Sequence, residues 1–239
     1  MELIQDIYNL DIKVFNYIAY FMLCWGFCNV FILRFLDAPY GRYSRQGFGL
    51  FVNAKVAWVI QELPAFAVPV MLILFFDFPQ MSKTPNRIML ACFLIHYFQR
   101  TFIFSFLIRG GKPTPLLPFV LAIMFCCGNG YLQGGYLIKY ADFGPDWSSN
   151  PRFYIGLILF FCGMFINIQS DHILRNLRKP GETGYKIPTG GMFDYVSGAN
   201  FFGESVEWWG FGIACGTLPA LAFAIFTTLT IGPRACSHH

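Results

Sequence analysis

The chain has 239 residues, of which 56% are hydrophobic and 19% aromatic but only 13% charged, where an ordinary soluble domain carries about 25% charge. With a mean hydropathy of +0.50, this excludes a water-soluble globule and a disordered chain, and it indicates a protein whose solvent is the bilayer. The net charge of +4 is modest and points to no nucleic-acid partner, so the placement of the charges matters more than their sum.

The apolar residues come in blocks of roughly 18 to 25, enough for an α-helix to cross a hydrocarbon core about 30 Å thick. The expected fold is all-α: a polytopic membrane protein with seven transmembrane helices around a buried cavity, forming one membrane domain over residues 1–239. The first block, residues 12–35, follows "MELIQDIYNLD". That opening has neither a basic region nor a small-residue cleavage site, so the block is expected to be retained as a helix. The second, residues 51–78, contains "VIQELPAF", which strands Gln61 and Glu62 in apolar sequence and adds Pro64. The third, residues 86–108, carries His96, Tyr97 and Arg100.

The fourth block, residues 115–140, includes "GNGYLQGG" at 128–135. A G-x-G-x-x-x-G spacing inside an apolar run is not the dinucleotide fingerprint that joins a strand to a helix, and these glycines are expected to permit close helix packing. The fifth, residues 151–174, holds Asn167 and Asp171, and the polar stretch "RNLRKPGETGYKIPTGGMFD" over 175–194 then stops the helix with Gly and Pro. The sixth, residues 196–213, is the weakest span: Glu204 and Glu207 suit a half-buried helix lining a cavity as well as a lipid-facing one. The seventh covers residues 215–232.

A charge at membrane depth costs roughly 2.5–3.5 kcal/mol on insertion scales, so each one points to a protein-lined cavity. Asn200, Glu204 and Glu207 are spaced by four and three and share a helical face. Asn167, Asp171, Arg175 and Arg178 form a second stripe, which turns cationic towards its end. Beside a Gly-rich basic loop, that gradient suits a ligand with anionic phosphates at the surface and a less polar end reaching inward, as in a nucleotide cofactor. Two plainer alternatives are a helix-to-helix ion pair such as Arg175 with Glu204, and basic loop residues facing anionic lipid headgroups.

The connections after blocks one, three and five hold Arg34, Arg42 and Arg45, then Arg109 and Lys112, then Arg175, Arg178, Lys179 and Lys186. The connections after blocks two and four are poorer in Lys and Arg. The positive-inside rule therefore places the odd connections and the C-terminus in the cytosol, with the N-terminus on the lumenal or outer side. The eight cysteines form no CxxC pair and show no metal-ligand spacing, so no metal site is expected.

"AWVIQELPAFAVP", "LIHYFQRTFIF", "INIQSDHILRNLRKPGETGYKIPTGGMFDYVSGANFFGE" and "VEWWG" closely resemble the vertebrate steroid 5α-reductases over residues 40–239. "RGGKPTPLL" and "DHILRNLRKPG" are most similar to the type 1 branch of that family. The resemblance implies reduction of the carbon 4–carbon 5 double bond of 3-keto-Δ4 steroids by NADPH in the endoplasmic reticulum membrane, with the N-terminus lumenal. Hydride arriving at carbon 5 drives negative charge onto the carbon 3 oxygen, which then requires hydrogen-bond donors in a dry pocket. By resemblance the donors are Tyr97 and Glu62, the latter as the neutral acid that burial favours. Trp58 would pack on the steroid skeleton and Gln61 would support the carbonyl end.

On the cofactor side, the resemblance assigns Arg109 and Lys112 from the third connection, then Asn167, Asp171, Arg175, Arg178 and Tyr185. It further assigns Asn200, Glu204 and Trp208 from the sixth block, and Arg234 and His238 from the C-terminal end. Arg178 is the first choice for a phosphate, because a guanidinium offers a rigid fork to it. Residues 1–85 would carry the substrate motif and residues 86–239 the cytosolic cofactor site. Lys112 and Lys186 stand where some relatives have arginine, and Gln99 and Gln169 where relatives have histidine, so neither glutamine is assigned a proton transfer. Relatives also continue past the terminal histidines, which leads to an expectation of weakened cofactor binding. The alternatives are reduction of an enoyl thioester or a sterol nucleus, and a silent lipid-binding form.

Overall fold

The computed structural model describes residues 2–36, 38–39, 41–178, 182, 184 and 186–237. Among these, seven long helices account for nearly all regular structure: α1 Glu2–Phe35, α2 Ala54–Phe75, α3 Thr84–Leu107, α4 Leu116–Lys139, α5 Pro151–Asn176, α6 Ala199–Cys215 and α7 Leu218–Ser237. Six of them are long and apolar enough to cross a membrane. The exception is α6, whose 17 residues include Glu204 and Glu207, the block whose charges already marked it as the weakest span. The chain is thus a polytopic helical membrane protein. α1 begins at Glu2, earlier than the block expected at 12–35, because the opening residues continue the helix.

Local sequence sets the helix ends. Asn53 caps α2 by accepting hydrogen bonds from the Lys55 and Val56 amides at 3.0 and 3.4 Å, and Asn150 caps α5 through the Arg152 amide at 3.0 Å. A two-residue antiparallel ladder, β1 Phe51–Val52 with β2 Thr114–Pro115, pairs Phe51 with Pro115 and Val52 with Thr114. It ties the start of α2 to the start of α4. α3 and α4 each contain a π-helical turn, Gln99–Phe104 and Gly130–Gly135.

Packing depends on glycine at two places. α5 and α6 run in backbone contact: a β-carbon at Gly163 would lie 2.2 Å from the Glu207 nitrogen, and one at Gly203 would lie 2.5 Å from the Asn167 nitrogen. Gly156 and Gly210 repeat the arrangement one pair further along, against Ala214 and Phe160. Between helices in lipid, where no hydrophobic force separates protein from solvent, such close approach supplies the packing energy. The glycines of "GNGYLQGG" do the same for α4 on α2, since a β-carbon at Gly130 would sit 2.9 Å from Ala65 and one at Gly134 would sit 2.4 Å from Pro69.

Aromatic rings fill the centre. The indole of Trp208 lies 4.4 Å from the Phe223 ring, 4.5 Å from His96 and 5.6 Å from Phe211, centroid to centroid. At the end where α1 starts and α4 finishes, Asp11 accepts from Lys139 at 3.0 Å, from Tyr131 at 3.2 Å and from Tyr140. Large apolar side chains such as Phe21, Phe31, Phe75 and Phe165 remain exposed on the outside, the surface that faces lipid.

Candidate active site

Two cavities open between the helices and meet. The inner one, of about 380 Å3, is lined by Trp58, Gln61 and Glu62 from α2, by His96, Tyr97 and Arg100 from α3, by Cys126 from α4, and by apolar residues of α1 and α7 including Trp25, Phe223 and Phe226. That volume lies within the range of about 300–1,000 Å3 usual for small-molecule sites. Glu62 and Tyr97, which come from different helices, open onto this same space. The Gln61 amide donates to Glu62 Oε1 at 3.3 Å, and Cys126 Sγ lies 3.9 Å from Glu62 Oε2. Tyr97 is only 3% exposed, and its phenol oxygen accepts from Asn129 Nδ2 at 2.9 Å.

The outer cavity, of about 610 Å3, is lined by cations from three connections or helix ends: Arg109 and Lys112 between α3 and α4, Arg175 and Arg178 at the end of α5, and Lys186 beyond it. Asp171, Asn200, Glu204 and Arg234 complete its polar wall. Most of these side chains have light partners near the surface. Arg109 donates to Asn176 at 3.0 Å, Arg178 to the Gly184 carbonyl at 2.8 Å, Arg175 contacts His172 at 3.1 Å, and Lys186 pairs with Glu182. An arginine carries five N–H donors, so one such bond leaves a fork available for an anion. The connections that the charge count assigned to one side of the membrane therefore do converge at one end of the bundle.

Trp58, Arg100, Phe201, Glu204 and Arg234 line both cavities, so the two adjoin along these side chains. Arg100 stands at the junction. Its Nη1 donates to Asp171 Oδ2 at 2.8 Å, and its guanidinium lies 4.1 Å from the Phe104 ring centre and 5.0 Å from that of Trp58. The helix-to-helix ion pair thus joins Asp171 to Arg100, and Arg175 forms none with Glu204 among the described residues.

The structure brings most of the expected residues to this space and sets a few apart. Asn167 lines neither cavity; its amide donates to the Asn200 backbone carbonyl at 2.9 Å and so positions the helix that does. Trp208, 1% exposed, also lines neither cavity and lies in the aromatic centre behind Tyr97. The shared face of Asn200, Glu204 and Glu207 divides: the first two reach the outer cavity, while Glu207 is fully buried against His96, whose Nδ1 lies 2.8 Å from Oε1. Tyr185 and His238 lie outside the described residues. Arg100 received no role from sequence, although its position three residues after Tyr97 puts the two on one helical face. Asn129 and Gln133 gave a weaker signal, as two amides hidden within a glycine motif.

Fold and cavities together define a multi-pass membrane protein in which a largely apolar cavity adjoins a basic one. A family model described as 3-oxo-5-alpha-steroid 4-dehydrogenase matches residues 112–239. 3-oxo-5-alpha-steroid 4-dehydrogenase 1 of Rattus norvegicus is 52% identical over 239 residues, which is 100% of this chain and 90% of that relative. The Bos taurus protein of the same name is 50% identical over 224 residues, covering 93% of this chain and 87% of the relative. 3-oxo-5-alpha-steroid 4-dehydrogenase 2 of Homo sapiens is 50% identical over 186 residues, or 78% of this chain and 72% of the relative. The chain belongs to the 3-oxo-5-alpha-steroid 4-dehydrogenase family, as the resemblance of its motifs implied.

Proposed function

We propose that the protein reduces the carbon 4–carbon 5 double bond of 3-keto-Δ4 steroids such as testosterone, androstenedione and progesterone, with NADPH, in the endoplasmic reticulum membrane, its basic end facing the cytosol. The observation that carries this reading is the adjoining pair of cavities: Glu62 and Tyr97 line an apolar cavity that shares Arg100 and Arg234 with a second one, whose lining adds five further cations, Arg109, Lys112, Arg175, Arg178 and Lys186. The donor set fits the proposed cofactor. Arg109, Lys112, Arg175, Arg178 and Lys186 offer positive charge to its phosphates, while Asn200 and Glu204, deeper and beside the junction, suit its ribose or nicotinamide end.

When bound, the cofactor supplies a hydride. The steroid ketone lies towards Glu62 and Tyr97, with the ring system against Trp58 and the phenylalanines of α7. As carbon 5 gains its new C–H bond, the π pair of carbons 4 and 5 moves toward carbon 3 and the ketone oxygen becomes an enolate oxygen. The hydrogens of the Tyr97 phenol and of the Glu62 carboxyl meet that charge as it forms, and carbon 4 then takes a proton that comes from solvent to give the saturated ketone. Gln61, by donating to Glu62 Oε1, holds the carboxyl so that its hydroxyl oxygen is the one left to donate. With the steroid bound and water displaced from the ketone end, each of these hydrogen bonds would be stronger than in solution.

The test is NADPH consumption by the purified, detergent-solubilised chain with testosterone, with an enoyl thioester in its place, and with neither. Testosterone-dependent oxidation with a 5α-reduced product is expected. Oxidation with the thioester alone, or steroid binding without any oxidation, overturns the reading.

A further inference from the structure

We propose that Asn129 and Gln133 are positioning residues that fix the direction of the Tyr97 hydrogen bond, so that the phenol donates into the inner cavity and cannot turn away from it. This rests on the reading of Tyr97 as a donor to the ketone. The three side chains form a buried chain: Asn129 is 0% and Gln133 2% exposed, with Tyr97 in contact beyond. Gln133 Nε2 lies 3.0 Å from the Pro219 carbonyl oxygen and 3.3 Å from Asn129 Oδ1, and Asn129 Nδ2 lies 2.9 Å from the Tyr97 oxygen.

The direction of this chain follows from its far end. A backbone carbonyl only accepts, so the Gln133 atom facing Pro219 is the amide nitrogen. That same atom faces Asn129, so the Asn129 atom opposite it is the oxygen. The remaining Asn129 atom, its nitrogen, then faces the phenol, and an amide nitrogen cannot accept. The Tyr97 oxygen is therefore the acceptor in that bond, and its one hydrogen is left for the cavity that the residue lines. Exchanging oxygen and nitrogen in either amide would set like against like: two acceptors at Pro219, or two donors at Gln133. With no water at this depth to satisfy the mismatch, either exchange costs a buried hydrogen bond.

The scaffold adds a reason for the arrangement. Asn129 and Gln133 are spaced by four at the π-helical turn Gly130–Gly135, and the flanking Gly130 and Gly134 pack directly on the backbone of α2 at Ala65 and on Pro69. The segment that aims Tyr97 is thus docked on the helix that carries Glu62. The two donors to the ketone are positioned against one another through α4.

The experiment is a mutant cycle on the full chain with two readouts. Asn129→Leu is expected to lower kcat about tenfold, part of the loss from removing a donor outright, with little change in steroid or NADPH dissociation constants. In a Tyr97→Phe background the same substitution is expected to change kcat less than about twofold, because it acts only through the phenol. An equal loss in both backgrounds overturns the proposal, since a purely structural role would be additive. The second readout needs no turnover: infrared spectra of a bound steroid carrying carbon-13 at carbon 3 should show the carbonyl stretch moved to higher frequency by Asn129→Leu, as by Tyr97→Phe. If Asn129→Leu does not fold, Gln133→Leu serves in the same cycle, because it frees the Asn129 amide to turn. If Tyr97→Phe alone leaves both kcat and the carbonyl band unchanged, the donor reading falls and this inference with it. If Tyr97→Phe moves them and the amide substitutions do not, this inference alone falls.

Discussion

The two cavities solve the problem of polar groups in a membrane protein in opposite ways. Around the inner one, the polar side chains project from helix interiors and hold one another: Gln61 on the part-buried Glu62 in the wall and, behind it, the buried Asn129 on Tyr97 and Gln133 on Asn129. The two buried amides have one satisfiable orientation, because the hydrocarbon offers no substitute partner. In the outer one, the cations sit at helix ends and in connections, and their partners are a neighbouring carbonyl, an amide or an exposed carboxylate. Water can replace any of these at small cost. The inner region is therefore built to place hydrogens, and the outer region to gather charge. Substitutions in the first should act steeply on turnover, and in the second gradually on cofactor affinity and salt dependence.

The largest effect is expected where the two regions meet. Asp171→Ala leaves the Arg100 guanidinium buried without its carboxylate, and breaking such a pair typically costs about 3–5 kcal/mol of stability. A fall in the melting temperature of the detergent-solubilised chain, with loss of both steroid and NADPH binding, checks this; unchanged melting would mean that water already reaches the junction. Next in size, Tyr97→Phe should lower kcat roughly a hundred- to thousandfold, the cost of one donor to an oxyanion, while NADPH affinity stays as it was. Glu62→Ala should fall in the same range, and a loss confined to KM would show that the carboxyl binds the ketone equally well before and during reaction.

Gly163→Ala probes the contact that holds the Asn200 and Glu204 side of the wall in place. The added methyl meets the α6 backbone at Glu207, and overpacking of this kind costs about 1–3 kcal/mol. Thermal unfolding should register it, together with a rise in the NADPH dissociation constant. The smallest effect is expected at the rim: Arg178→Ala should weaken NADPH binding by about tenfold or less, with kcat preserved and the difference shrinking as salt rises. A salt-independent loss, or a fall in kcat, would show that Arg178 belongs functionally to the inner region.

Much of this was legible in the chain. The helices fall where apolar blocks of membrane-spanning length fall, and the basic residues of the third and fifth connections, Arg109, Lys112, Arg175, Arg178 and Lys186, do gather at one cavity. The carboxylate of "QELP" and the tyrosine of "IHYF" do open onto one cavity. The helical face of Asn200, Glu204 and Glu207 was read as a unit, yet it splits, because α5 lies so close that its seventh-residue glycines admit Glu207 only behind the wall, against His96. Trp208 matched a cofactor position by motif, but an indole at the crossing of α3, α6 and α7 is enclosed by rings on every side.

By itself the sequence determined the solvent, the number and approximate length of the helices, the connections in which positive charge collects and the presence of several charged or protonatable groups, Glu62, Arg100, Asp171, Glu204 and Glu207 among them, too costly to leave facing lipid. These follow from local composition, since the bilayer's thickness and low polarity act on each segment independently. Only the tertiary structure decided that Glu62 and Tyr97 share a space, that Asp171 belongs to Arg100, and that Gln133 and Asn129 stand behind the phenol. Those facts depend on which helix faces meet, and in lipid that choice is set by close packing and hydrogen bonding between segments far apart in the chain, which no single stretch records.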